Sequence, residues 1–492
     1  MAPRRRWPVA VGLGAAAAGA AVALRRRPGT LAGGTSPVGS ADRARRTAAL
    51  AKVGASRGAD LAAVKVRGVG ATPERKAQLQ SEFELRTAEQ VAETLGGMKG
   101  ALMKLGQMAS YLDQGLPEPV RDALAELQSD APPMSAELAA GVVRAELGAA
   151  PDVVFAEWDP QPMAAASIGQ VHRAVTHDGQ EVAVKVQYPG VDTAVASDLE
   201  NTDLLFTVMG MLFPGLDPRP VVDELRARLV EELDYRNEAA NQRMFADAYR
   251  DHPFIAVPDV VDAHSSGRVL TTTLAHGAAF SEVVGWPDDQ RQLAAECLYR
   301  FAFGGIYRLG AFNGDPHPGN YLFGPDGRVT FLDFGLCKRF TADEVVVFEE
   351  MIQSMVLDRD VPAFRRVVER VGILPEGVDL PVDVLEDYFT HFYELVMEDQ
   401  VVEVTPEYSS ASVRRFFDLG GPYADVMKKA NLPASMVIIQ RINLGLYALF
   451  GDLGARANWR RISEEIWPFT DGAPSTPMGE EVAAWERATR RA

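Results

Sequence analysis

Four polar residues far apart in the chain have the types and the order needed to handle a polyphosphate. Lys185 ends the apolar run Val182-Ala183-Val184, which has the β-branched character of a strand. From such a strand a lysine projects on one face while the valines pack on the other. Asp315 and Asn320 bracket the proline-rich loop Asn313-Gly314-Asp315-Pro316-His317-Pro318-Gly319-Asn320. There an aspartate can accept a hydroxyl proton or orient a water, and an amide oxygen can ligate a hard cation. Asp333 follows within Leu332-Asp333-Phe334-Gly335, at the end of a second apolar stretch, and supplies a carboxylate for the same cation. Taken singly, a strand lysine is ordinarily solvent-facing and Asp-Phe-Gly is a turn after a strand. In this order and spacing they point to one site for a nucleotide and Mg²⁺.

The spacing carries more than the composition of each piece. An aspartate followed five residues later by an asparagine matches the kinase catalytic loop, and Val-Ala-Val-Lys matches the strand whose lysine meets the α- and β-phosphates. That lysine needs a carboxylate from a neighbouring helix. The helical pattern over residues 221–243 offers Glu224, Glu231, Glu232, Asp234 and Glu238. At about 100° per residue Glu231 and Glu232 lie near each other and Asp234 points away, so they cannot all face one site. His317 has two readings, a phosphate contact or a residue that fixes its own loop.

These residues require particular elements to carry them. Strands are expected over 167–175 and 181–187 around the turn His177-Asp178-Gly179-Gln180, and again over 255–261 and 268–274. Two short strands, 321–323 and 329–332, flank Pro325-Asp326-Gly327. Helices are expected over 82–111, around 135–147, over 221–243, and through most of the chain beyond residue 342. The order predicts an α+β, bilobal, protein-kinase-like fold with a small sheet-based lobe and a larger helical lobe. The expected divisions are a basic leader and linker at 1–70, a helical extension at 71–150, the sheet lobe at 151–275, the helical lobe at 276–475 and a tail at 476–492.

Composition narrows the class of partner. The chain has 492 residues, 47% of them hydrophobic, as expected of a large folded unit. A formal charge of −17 argues against nucleic acid, which demands a concentrated basic face. Two cysteines, Cys297 and Cys337, imply no disulfide framework and a reducing, cytoplasmic setting. The first 70 residues are basic, and between Arg4–Arg6 and Arg25–Arg27 lies an uncharged Ala/Gly-rich run, residues 8–24. It is shorter than the ~20 apolar residues of a spanning helix, so a marginal membrane anchor and a disordered leader remain alternative readings. The hydrophobic helical surface over 436–449 is the other candidate for membrane contact, although such a helix is more often core.

With these residues in view, the chain resembles the UbiB/AarF family of atypical kinases over residues 75–470 or so. Lys104-Leu105-Gly106-Gln107 matches the family's KxGQ signature. Residues 162–172, PMAAASIGQVH, match its alanine-rich nucleotide loop, and Glu232-Leu233-Asp234 fits its ExD motif. The resemblance implies ATP or ADP and Mg²⁺ as cofactors, and a link to isoprenoid-quinone or lipid metabolism near a membrane. It implies that Ala164, Ala165, Ala166, Ser167, Gly169 and Gln170 contact the nucleotide with Lys185, and that Asn320 and Asp333 hold the metal. It also implies that Glu232 partners Lys185, with Asp315 catalytic, while Glu238 meets Lys104. The helix bearing Lys104 and Gln107 would then cover the site, and together with Asp234 and Glu238 form a regulatory group. A covered site favours ATP hydrolysis or a small or lipid-like acceptor over a protein substrate. Two alternatives compete: a phosphotransferase of the aminoglycoside/choline kinase type, and a non-catalytic, nucleotide-switched lipid-binding regulator. The family often has histidine where this chain has Asn313.

Overall fold

The computed structural model describes residues 134–166, 168–191, 230–417 and 434–489, with 423, 426 and 429. All lie within the unit Ala59–Ala492, and the unit Met1–Gly58 falls outside them. Residues 8–24, the expected helix over 82–111, Lys104, Gln107, Ser167 and residues 221–229 also lie outside the described residues.

The first half contains α1 (Ala136–Leu147), β1 (Glu157–Ala166), β2 (Gly169–Val175), β3 (Glu181–Gln187), α2 (Tyr235–Ala248), β4 (Ile255–Ala256) and β5 (Val269–Thr273). Four of the strands form an antiparallel sheet in the order β1-β2-β3-β5. Strict alternation along β3 decides its two faces. Val182, Val184 and Val186 are fully buried against Ala139, Val142 and Val143 of α1 and against Phe155. Each such valine contributes on the order of 1.5–3 kcal/mol. Lys185 therefore emerges on the opposite face, paired with Val171 on β2 and Leu270 on β5. A slip of one residue would drive the ammonium into the valine core, which fixes the register. The helix expected around 135–147 thus packs on the sheet, because the β3 valines cover its apolar stripe.

The long helix expected over 221–243 is interrupted. At Asp234 the backbone is extended (φ −118°, ψ 102°), and its carboxylate accepts from the Arg236 N–H at 3.0 Å. This is an N-cap, and α2 starts afresh at Tyr235. The phase of every acidic residue beyond the break differs from that of an unbroken helix.

The second half opens with α3 (Asp288–Leu309), which Gly310 ends in the left-handed conformation at φ 57°. Then come β6 (Ala311–Asn313), β7 (Tyr321–Phe323), β8 (Val329–Phe331) and β9 (Cys337–Arg339). β8 lies between β4 and β7, and β6 pairs with β9. Helices follow: α4 (Ala342–Ile352), α5 (Val361–Arg370), α6 (Val382–Thr390), α7 (Pro406–Phe417), α8 (Ala434–Leu453), α9 (Trp459–Ile466) and α10 (Pro477–Thr489). Their core includes fully buried Phe312, Phe364, Phe450 and Trp459. Leu446, Leu449 and Phe450 of α8 belong to this core, and among the described residues no helix is long and apolar enough to cross a membrane.

The segment expected as a tail is helical and packs. Trp485 of α10 meets His252 edge-on at 4.5 Å, donates to the Arg250 carbonyl at 3.1 Å, and lies beneath Arg308 of α3. His252 Nδ1 accepts from the backbone N–H groups of Phe254 and Ile255, at 3.1 and 2.9 Å. Burial, then Arg308 and Arg300, push this imidazole down to about 3. The unfolded chain therefore binds the extra proton first, and stability falls as pH drops below the free-histidine pKa. Between pH 7 and 5 this group alone removes roughly 2 kcal/mol. His252→Asn keeps an acceptor without titrating, and its urea-unfolding profile should be flatter than that of the parent by that amount over this window.

Candidate active site

Lys185 Nζ donates to both oxygens of Glu238, at 2.7 and 2.9 Å, and to Asp333 Oδ2 at 3.2 Å. The Lys185 and Glu238 side chains are only 14% and 6% exposed, so this is a buried ion pair rather than a surface one. Burial opposes charge on Lys185, but Asp333 and then Glu238 outweigh it and hold the ammonium well above its ordinary pKa. Burial pushes the Glu238 carboxyl up to about 7, against the pull of Lys185. Asp333 and Glu232 add to that upward push.

The assignment of Glu232 as the partner of Lys185 is therefore corrected: Glu238 does this. Glu232 precedes the Asp234 break and is buried nearby, whereas Glu238 stands one turn into α2 on the face that meets Lys185. Glu238 gives both oxygens to Lys185, and its expected partner Lys104 lies outside the described residues. Asp234, with its side chain 44% exposed, caps α2 and lies 3.6 Å from Arg236.

The same helix face fixes the Asp-Phe-Gly segment. Asn241 Nδ2 donates to the Phe334 carbonyl at 3.1 Å, and Phe245 packs on the Phe334 ring at a centroid distance of 5.1 Å. Phe334 is fully buried, which leaves its neighbour Asp333 facing the Lys185 side. Asp333 Oδ1 accepts from the Gly335 N–H at 2.9 Å.

Asn313 joins the two loops, a part the sequence reading had not given it. Its Nδ2 donates to the Asp333 carbonyl at 2.8 Å, and its Oδ1 accepts from the Asp315 N–H at 3.3 Å. Asn320 Nδ2 donates to the Asp315 carbonyl at 3.1 Å, and the Asn320 carbonyl accepts from the Leu332 N–H at 3.0 Å. His317 Nδ1 accepts from the Gly319 N–H at 3.0 Å, so its observed contact fixes its own loop.

The alanine-rich segment is a hairpin rather than an irregular loop. Ala164, Ala165 and Ala166 end β1 and pair with Val171, Gln170 and Gly169 of β2. Cross-strand partners share a face, so Ala164 and Ala166 lie on the Lys185 side, and Ala165 with Gln170 lies on the other. Gln170 is 1% exposed, accepts from the Met134 N–H at 2.9 Å and lies 2.9 Å from His172 Nε2. Its expected contact with nucleotide is corrected: strand alternation aims it into the back of the sheet.

Gly169 is required by packing. A Cβ there would fall well under 3.0 Å from the Val186 carbonyl oxygen and 2.8 Å from the Tyr235 hydroxyl. Tyr235 is 2% exposed, and Lys185 Nζ lies 5.2 Å from its ring centroid. It therefore wedges between the hairpin and the ion pair, and only its place directly after the ExD run hints at this in the sequence. Gly169→Ala should destabilise the fold by about 2 kcal/mol or more, measured by urea unfolding, because backbone must move to admit the methyl.

The oxygen donors suit Mg²⁺ rather than a softer metal. Asp333 offers a carboxylate with its side chain 28% exposed, and the Asn320 amide keeps its oxygen on the branch opposite its bond to Asp315. Among the described residues no group of three or more His, Cys, Asp or Glu side chains converges on one point.

Residues 126–368 match the ABC1 atypical kinase-like domain. The chain is 32% identical to mouse AarF domain-containing protein kinase 1 over 314 residues, 62% of this chain and 60% of that protein. It is 34% identical to rat mitochondrial atypical kinase COQ8B, over 54% of this chain and 51% of that one. An uncharacterized aarF domain-containing protein kinase of the Arabidopsis thaliana chloroplast is 30% identical over 83% of this chain and 57% of its own length. The chain thus spans little more than half the length of these curated relatives. Among solved structures, Rv3197 of Mycobacterium tuberculosis, in complex with erythromycin, is 33% identical with a TM-score of 0.58. That likeness covers 80% of this chain and 98% of the other. The fold is kinase-like, with mixed helices and sheets, and the chain belongs to the ABC1/AarF family of atypical kinases, the UbiB family.

Proposed function

We propose that the chain binds ATP and Mg²⁺ between the four-stranded sheet and the helical region, as two lobes around a cleft. There it transfers the terminal phosphoryl group to a small or lipid-like acceptor, or to water. The reading rests chiefly on Lys185 standing between Glu238 and Asp333, with Asn313 tying Asp333 to the Asp315 loop. In it Lys185 donates to phosphate oxygens, and Glu238 and Tyr235 keep the ammonium in place. Asp333 and Asn320 would hold Mg²⁺, which when bound would supply positive charge against the phosphates. Asp315 accepts the proton of the attacking hydroxyl or orients a water. The alanine pair facing Lys185 gives a stiffer cover for the phosphates than glycine would. Lys104 and Gln107 enter through their motif alone, as part of a helix over the site.

The likeness to COQ8B supports a link to ubiquinone biosynthesis, and from it we infer a quinone-related or lipid-like acceptor at a membrane surface. The relative solved with erythromycin favours a second reading, in which a bulky amphipathic molecule is bound and nucleotide switches its release. ATP turnover by the purified full chain, with and without anionic vesicles, quinone-headgroup compounds or erythromycin, separates them. Stimulation by vesicles or headgroups supports the first reading, and erythromycin binding that depends on nucleotide without turnover supports the second. Transfer to a soluble aminoalcohol would replace both with a small-molecule phosphotransferase.

A further inference from the structure

We propose that an aromatic cavity in the helical region is a second binding site. Its ligand is a neutral molecule with a single-ring hydrocarbon body and one hydroxyl group. The cavity, about 140 Å³, lies between α3, α4, α6, the turn after α6, and α8. Phe303, Tyr307, Ile352, Tyr388 and Trp467 form much of its wall, and among the described residues no charged side chain lines it. Close-packed interiors rarely leave a space of this kind, because the lining forfeits its dispersion contacts. An engineered apolar cavity of about 150 Å³ stays dry and takes up benzene, which sets the scale of the occupant.

The cavity has one polar feature that asks for a ligand. Asn443 of α8 lines it, and its Oδ1 is buried without a hydrogen-bond partner among the described residues. Buried amide oxygens are nearly always paired, and leaving one unpaired is costly. The wall's Tyr299 hydroxyl is engaged with Ser463 Oγ at 2.5 Å, and none of the other wall hydroxyls, those of Tyr307, Tyr388, Tyr393 and Tyr447, bonds to Asn443 Oδ1. An alcohol whose ring fills the aromatic space and whose hydroxyl donates to Asn443 Oδ1 satisfies both features. A phosphate or carboxylate finds no counter-charge there. α4 passes into a π-helical turn, Gln353–Leu357, immediately after Met351 and Ile352, which line the cavity. Such turns mark places where a helix wall is reshaped for a site. None of Lys185, Asp315, Asn320 and Asp333 lines the cavity, so the inference stands independently of the phosphate chemistry.

The test uses the full chain with benzyl alcohol and toluene as probes, followed by titration calorimetry and by the shift in unfolding temperature. The wild type should bind benzyl alcohol saturably and roughly tenfold more tightly than toluene, the worth of one buried hydrogen bond. Asn443→Leu should erase that preference while retaining toluene binding, and Ile352→Phe should weaken both probes by filling the space. If Ile352→Phe does not fold, Asn443→Leu decides alone. No saturable binding of either probe, equal affinities in the wild type, or an undiminished preference in Asn443→Leu would overturn the proposal.

Discussion

Asp333→Asn is expected to lower Mg²⁺-dependent ATP turnover by at least ~100-fold, a loss typical of removing one well-placed electrostatic group from a reaction centre. The substitution preserves volume and the backbone carbonyl that Asn313 holds. It removes the negative charge that meets Lys185 Oδ2-to-Nζ at 3.2 Å, and with it the only carboxylate of Asp-Phe-Gly available to a cation. Asparagine also brings an amide N–H₂ to one of two positions that now accept, from Gly335 N–H and from Lys185. The stability cost is accordingly modest, about 1–2 kcal/mol. A steady-state assay beside a thermal melt separates the effects: turnover collapses and the unfolding temperature moves little. Undiminished turnover in a folded variant would remove Asp333 from the metal site.

The second large effect concerns which carboxylate holds Lys185. Glu238→Ala should destabilise the fold by about 3 kcal/mol, because it breaks a buried pair and leaves the ammonium with Asp333 alone. Lys185→Ala should cost a similar amount by leaving Glu238 and Asp333 facing each other. In the double variant the losses should fall short of their sum by ~2 kcal/mol, the signature of direct contact. The same cycle between Lys185 and Glu232 should couple by less than ~0.5 kcal/mol. Urea unfolding of the three single variants, the two double variants and the parent measures both cycles. Stronger coupling to Glu232 would restore the assignment that the structure displaces.

That displaced assignment shows where local reading stops. Period-2 alternation placed Lys185 correctly, because burial of Val182, Val184 and Val186 leaves its side chain one direction. The turn chemistry of His177-Asp178-Gly179-Gln180 and Pro325-Asp326-Gly327 likewise gave strands at their observed positions. The Glu232 assignment came from the ExD motif; the acidic periodicity could not overrule it, because it continues across Asp234, where a side-chain cap restarts the helix. A cap and an interior aspartate look alike until the competing hydrogen bonds are known. The packing of α1 on β3 was illegible for a related reason: the helix has an apolar stripe, but nothing local says which sheet covers it. Asn313 and Tyr235 act through partners 20 and more residues away, so single-chain spacing could not single them out. Gln170 was drawn into the nucleotide set by its neighbours in the motif, although alternation along β2 already turned it to the other face.

The central claim, that Lys185, Asp315, Asn320 and Asp333 form one site for nucleotide and Mg²⁺, is tested most directly by calorimetric titration of ATP into the full chain. The account predicts saturable binding of one ATP in the presence of Mg²⁺, weakened at least ~10-fold by chelation of the metal and again by Lys185→Ala. Absence of ATP binding, or an affinity indifferent to both Mg²⁺ and Lys185, would contradict it.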